Sequence, residues 1–172
     1  MMEDPEQPPS TGPSQIFGTN ICGRICNHIV DIDVAECVHD FDNNHHAALV
    51  RFAQDALGAL GCRAAELSVL LCDDSYIRHL NHCFRGVNTP TDVLSFGQDS
   101  TVSDRDQILG DVVISLETAR RQALFHRVPE FAELRELLLH GILHLLGRDH
   151  GDGDFMEEPM LQEQKRLLEG LT

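Results

Sequence analysis

Apolar residues recur along this chain with two periods, and the switches between them mark its elements. A short extended segment is expected at Asn27–Val34. From Asn43, Ala48, Leu49, Phe52, Ala56, Leu57 and Leu60 recur at helical spacing, and Gly61 is placed to stop that helix. Glu66–Cys72 (ELSVLLC) reads as a buried strand. Asp73 is then a suitable N-cap for a helix running to about Cys83, with Ile77 and Leu80 turned to the core. Val93–Phe96 and Gly110–Ser115 read as further strands, separated by a polar, loop-like stretch at 98–107. A helix is expected from Leu116 to about Phe125, and Pro129 is placed to open the next, which runs to about Gly147. The acidic run Asp152–Glu158 leads into a last amphipathic helix ending near Leu168. This gives about four strands and about five helices, with no internal repeat.

The helix before Gly147 is apolar on most sides. Phe131, Leu134, Leu138, Ile142 and Leu145 share one stripe, and Leu139, Leu143 and Leu146 widen it, so the helix is expected at the centre of the fold. His140 and His144 occupy the remaining flank, about 40° apart at 100° per residue. Two imidazoles one turn apart can reach a single metal ion. Gly147 can leave helical geometry without a Cβ penalty, and the turn it permits would bring His150 to a third corner. Three protein ligands with one open position characterise a catalytic zinc, not a structural one. A His on an apolar helix is more often a hydrogen-bonded core residue, and this chain has 10 His. The three-membered spacing with a Gly at the turn favours metal. The spacing is close to the zincin pattern H-E-x-x-H-x-x-G-x-x-H, except that position 141 is Gly where those proteases carry their general base. Asp149 is either an acceptor for a ligand imidazole or a solvated carboxylate.

Composition narrows the class. At 172 residues, 42% hydrophobic and 24% charged, the chain is of a size and make-up for one globular domain. Residues 1–20 hold Pro5, Pro8, Pro9 and Pro13 among Ser, Thr and Gly and read as a disordered tail, so a Pro-rich extension is assigned to 1–25 and the domain to 26–172. Residues 1–20 have three acids and no Arg or Lys, which argues against a mitochondrial transit peptide. No apolar run is long enough for a membrane span, so a cytoplasmic protein without a membrane partner is expected. In that setting the six Cys are expected as free thiols, and Cys22 and Cys26 lack the second pair a zinc knuckle needs. The net charge of −15 excludes a broadly sticky nucleic-acid binder. Charge is uneven, however: Asp149–Glu169 carries seven acids against Lys165 and Arg166, whereas Arg78–Arg127 balances six Arg against six acids. A locally positive cleft is compatible with that middle.

Two motifs now carry a resemblance. HGILHLLGRDH (140–150) is similar to H-G-x-L-H-L-x-G-[aromatic]-D-H. Asn81–Arg85 followed by Pro90–Phe96 is similar to N-x-x-[YF]-R…P-T-D-V-L-S-F, with Leu109–Val112 (LGDV) a weaker third match. Over roughly residues 27–170 the chain resembles the YbeY family of metal-dependent endoribonucleases, departing from its pattern at Arg148, where an aromatic residue is usual. The resemblance implies a small single α+β domain, its mixed sheet packed with helices around a zincin-like metal helix. It implies one zinc ion on His140, His144 and His150, with Arg85 as the cleft arginine that binds substrate, and Arg85 and His140 as the catalytic pair. It further implies a zinc-dependent, single-strand-specific endoribonuclease acting in 3′ end maturation of 16S rRNA and in ribosome quality control, with rRNA and the ribosome or its proteins as partners. Imidazole also suits Ni, Cu and Fe, so the metal stays open on ligand chemistry alone. Asp92, Asp111 and Asn81 each have a structural reading beside a functional one, and the general base is unassigned. Two other functions compete: a non-catalytic metal-binding ribosome-assembly factor, whose acidic surface would suit a basic ribosomal protein, and a zinc metalloprotease, which would lack its base.

Overall fold

Period-two stretches become strands and 3.6-period stretches become helices almost throughout. The structure, a computed structural model, describes residues 28–38, 41–97, 107–148 and 159–171. In chain order these form β1 (Ile29–Val34), α1 (Asn43–Ala59), β2 (Ala65–Cys72), α2 (Asp74–Arg85), β3 (Val93–Gly97), β4 (Gln107–Ser115), α3 (Leu116–His126), α4 (Glu130–Leu145) and α5 (Pro159–Gly170). The expected extension at 1–25 and most of the polar stretch at 98–107 lie outside the described residues.

The strands make one mixed sheet in the order β1-β2-β4-β3. β1 and β4 both run parallel to β2, and β3 closes the far edge antiparallel to β4. Each strand turns alternate side chains to opposite faces. Val69, Leu71, Val112 and Ile114 share the face that packs against α1 and α4, with Leu134, Leu138 and Ile142 of α4 fully buried there. On the other face, at one end, Cys72, Leu94 and Val113 meet Ile77 of α2. This is the α+β arrangement expected.

Helix ends follow local chemistry. Asp73 caps α2 by accepting from the Tyr76 N–H at 2.8 Å, and α2 continues past Cys83 to include Arg85. Asp42 caps α1 by accepting from the Asn44 N–H, and Ser115 caps α3 through the Thr118 N–H. β4 starts earlier than the alternation suggested, at Gln107. The register slips between Glu66 and Leu67, leaving Leu109 as an extra residue opposite them, and Gly110 takes φ +126° beside the Phe96 carbonyl. A bulge of this kind breaks the period-two pattern by which a strand is read.

The expectation of free thiols holds at Cys37, Cys72 and Cys83, none of which forms a disulfide. Burial, with Asp73 and Cys37 adding, pushes the Cys72 thiol up to about 12, so it is a core side chain and not a nucleophile. Among the described residues no helix is long and apolar enough to cross a membrane.

Candidate metal and substrate cleft

α4 is central because α1, α3, α5, β3 and β4 all pack on it. It meets β3 and β4 closely at a residue without a side chain. A Cβ built on Gly141 would lie 2.7 Å from Val112 Cγ1 and 3.2 Å from Ser95 Oγ. The helix therefore sits directly on the sheet, and the Ser95 hydroxyl donates to the Gly141 carbonyl at 3.3 Å. No Glu side chain fits at 141 in this packing, so the general base of the zincin pattern has no place here.

With Gly141 against the sheet, its neighbours on the flank face a cleft. His140 and His144 are both half-buried, their rings edge-on with centroids 4.6 Å apart. Their Nε2 atoms approach to 3.1 Å. Two ligands held at about 2.0–2.1 Å by one tetrahedral ion are separated by about 3.3 Å, so these nitrogens already stand near the spacing a zinc ion requires. The tautomer is supported from behind. Gln164 of α5, only 4% exposed, places Oε1 3.1 Å from His140 Nδ1. An amide oxygen there accepts an Nδ1–H and leaves the Nε2 lone pair for a metal, the usual arrangement of a ligand imidazole.

The helix ends as the Gly147 reading required. Gly147 takes φ +71°, its N–H donates to the His144 carbonyl at 2.9 Å, and the Arg148 N–H donates to the Leu143 carbonyl at 3.0 Å. This pair of bonds is the Schellman termination. Arg148, the departure from the motif, ion-pairs through Nη1 with Glu163 of α5, beside Gln164. His150 and Asp149 lie outside the described residues, and among the described ones no group of three or more His, Cys, Asp and Glu converges as a metal site.

Arg85 is brought to the same cleft. A cavity of about 340 Å³ is lined by Arg85, Thr91, Asp92, Ser95, His140 and His144, with a mostly polar surface. Arg85 arrives there because it is the last residue of α2, with Gly86 as the C-cap, and because Asn81 ties the following segment back. Asn81 is 5% exposed and donates from Nδ2 to the Thr89 carbonyl at 2.8 Å. That bond gives Asn81 a structural task. Asp92 is likewise held by hydrogen bonds. Burial pushes its carboxyl up, but hydrogen bonds from Gln122, the Val93 N–H and Thr91 outweigh that and hold it below the usual carboxylate range. Oδ1 accepts from Val93 N–H (2.8 Å) and Thr91 (3.1 Å), and Oδ2 from Gln122 (2.9 Å). Asp111 is exposed on β4. Gln164 was missed by the sequence reading. Its signal was a polar residue one turn after buried Met160, within the apolar stripe of α5.

Fold and cleft together define a class: a small α+β protein on a mixed four-stranded sheet, with an imidazole pair and an arginine on the walls of one polar cleft. A model of the family Endoribonuclease YbeY matches residues 32–172. The chain belongs to the YbeY endoribonuclease family. It is 38% identical over 144 residues to Endoribonuclease YbeY of Borreliella burgdorferi, covering 79% of this chain and 93% of that one. With the Aquifex aeolicus protein of the same name it shares 44% over 124 residues, covering 71% and 81%. Its fold is also that of the Thermotoga maritima protein TM1509 in solution, with a TM-score of 0.59 at 24% identity over 83% of this chain and 89% of the other.

Proposed function

We propose that this protein hydrolyses phosphodiester bonds of single-stranded RNA, acting in 3′ end maturation of 16S rRNA and in ribosome quality control, with one zinc ion on His140, His144 and His150. The observation that supports this most is the approach of His140 Nε2 and His144 Nε2 to 3.1 Å in the cavity that also receives Arg85. Zinc, when bound, supplies Lewis acidity toward a phosphoryl oxygen and activates water near neutral pH.

The chain's own groups do the rest. Arg85 offers a planar fork of donors that matches two phosphate oxygens and so orients the scissile group against the imidazole pair. Gln164 holds the His140 ring. The bond from Ser95 to the Gly141 carbonyl keeps α4 seated on β3, so the imidazoles and the arginine stay in register across the cleft. Asp92, with three donors on its two oxygens, shapes the wall and is not the proton acceptor. The net charge of −15 suits a basic ribosomal protein as the partner that delivers the RNA.

Elemental analysis of the purified protein and of His144→Ala, with a cleavage assay on single-stranded RNA, tests this. About one zinc per chain, lost in the variant together with cleavage, is the expected result. Zinc bound without cleavage by either protein would point to the assembly-factor role. Absence of metal from carefully prepared wild type would sink the three-histidine site.

A further inference from the structure

We propose that the exposed face of α2 is a second contact site for single-stranded RNA, where Arg78 and His82 hold backbone phosphates of the strand that Arg85 engages in the cleft. This rests on the RNA reading above and adds to it a path for the flanking nucleotides.

Arg78, His82 and Arg85 stand at i, i+4 and i+7, so they fall within about 60° of one another around the helix. All three are exposed. Arg78 and Arg85 are about 10.5 Å apart along the axis at 1.5 Å per residue, a distance an extended strand covers within a few nucleotides. The helix is a wall shared by two cavities. Arg85 lines the histidine cleft. Arg78, His79 and His82 line another, of about 500 Å³, together with Tyr76 and Asn88.

The electrostatics of this stripe differ from those of the molecule. In a chain of net charge −15, residues 75–91 contain Arg78, Arg85, His79 and His82 and no Asp or Glu. Two of the acids that flank the stripe are occupied elsewhere. Asp74 accepts from Ser115 at 2.6 Å and Thr118 at 2.7 Å and pairs with Arg121 at 2.8 Å. Asp92 is filled by its three donors. Asp73 does border the second cavity, with one oxygen committed to the Tyr76 N–H, and marks the end of the stripe. Among the described residues neither Arg78 nor Arg85 forms an ion pair with a carboxylate. An acidic protein repels a polyanion as a whole, so its grip must be local, and this helix face carries two guanidinium groups with no carboxylate among residues 75–91. The ligand class is a single strand. Tyr76, 44% exposed beside Arg78, offers a ring to an unpaired base.

The test is equilibrium binding of non-cleavable 2′-O-methyl RNA, one oligomer long enough to pass along α2 and one confined to the cleft. Wild type and Arg78→Ala/His82→Ala are compared across a salt series. In the double variant, the ratio of long- to short-oligomer affinity is expected to fall by about tenfold, roughly one charge-assisted contact. The plot of log affinity for the long RNA against log salt becomes shallower by about 0.7 for each phosphate no longer held. Arg78→Lys with His82 intact, which keeps the charge, should retain the wild-type slope. Wild-type ratio and slope in the double variant would overturn the second site, and so would equal losses for both lengths. Wild type that binds neither oligomer would overturn the RNA reading itself.

Discussion

Helix α4 buries eight of its residues between the sheet and three other helices, whereas α2 buries only Ile77 and Asn81. Both place side chains of the proposed site in one cleft. On α4 the imidazoles are aimed by packing: Gly141 rests on Val112, the leucines hold the axis, and Gln164 grips one ring from behind. On α2 the cations are displayed. One side anchors the helix through Ile77 and the Asn81–Thr89 bond, and the opposite side is left to solvent. A catalytic geometry requires the first solution, because ligand positions must hold to fractions of an ångström. A phosphate track requires only the second. It follows that changes on α4 should alter stability and the site together, while changes on the outer face of α2 should alter binding alone.

The largest expected effect is at the centre of α4. Leu138→Ala removes a fully buried side chain and should cost about 2–5 kcal/mol, measured by urea denaturation. Equal stability in this variant would break the view of α4 as the axis of the core. Gly141→Ala puts a methyl group 2.7 Å from the stiff Val112 side chain and should cost about 1–3 kcal/mol. Because α4 must lift to accept it, metal uptake is expected to fall in the same variant, and a stable variant with full metal content would separate packing from site geometry.

Gln164→Leu keeps the volume and removes the acceptor for His140 Nδ1–H. Zinc affinity, followed by competition with a chelator, should drop by about 10–100-fold. Unchanged affinity would show that the ring is oriented without α5.

The smallest effect belongs to the cleft wall just before β3. Asp92 has its folded pKa held below the unfolded value of about 3.9, so its contribution to stability is fully present above that value and is lost as pH falls through the folded one. Asp92→Asn should therefore flatten the acid limb of the stability profile and leave its neutral and alkaline parts in shape. An acid limb identical to wild type would mean the carboxylate's three bonds are no stronger in the folded protein than those it makes to water.

Several of these residues are legible in the chain itself. The i, i+4 pair His140 and His144, the Asp73 cap and the Gly147 stop are local signals, since each depends on geometry within one or two turns of backbone. The assignment of Arg85 to the same site came from motif resemblance, and the cavity then places it with the imidazoles. Gln164 and the start of β4 were not legible in the same way. Gln164 gains its meaning from a helix distant in sequence, and β4 is displaced by a bulge that only its pairing with β2 makes visible.

Chain pattern alone determined the element order, the central apolar helix and the one-turn spacing of the histidine pair, because periodicity and capping act between near neighbours. Tertiary structure alone decided why position 141 must lack a side chain, which groups Asn81 and Asp92 bind, and which atom faces His140 Nδ1. Those outcomes depend on contacts between residues far apart in the chain, whose distances are set only when the sheet, α4 and α5 close on one another.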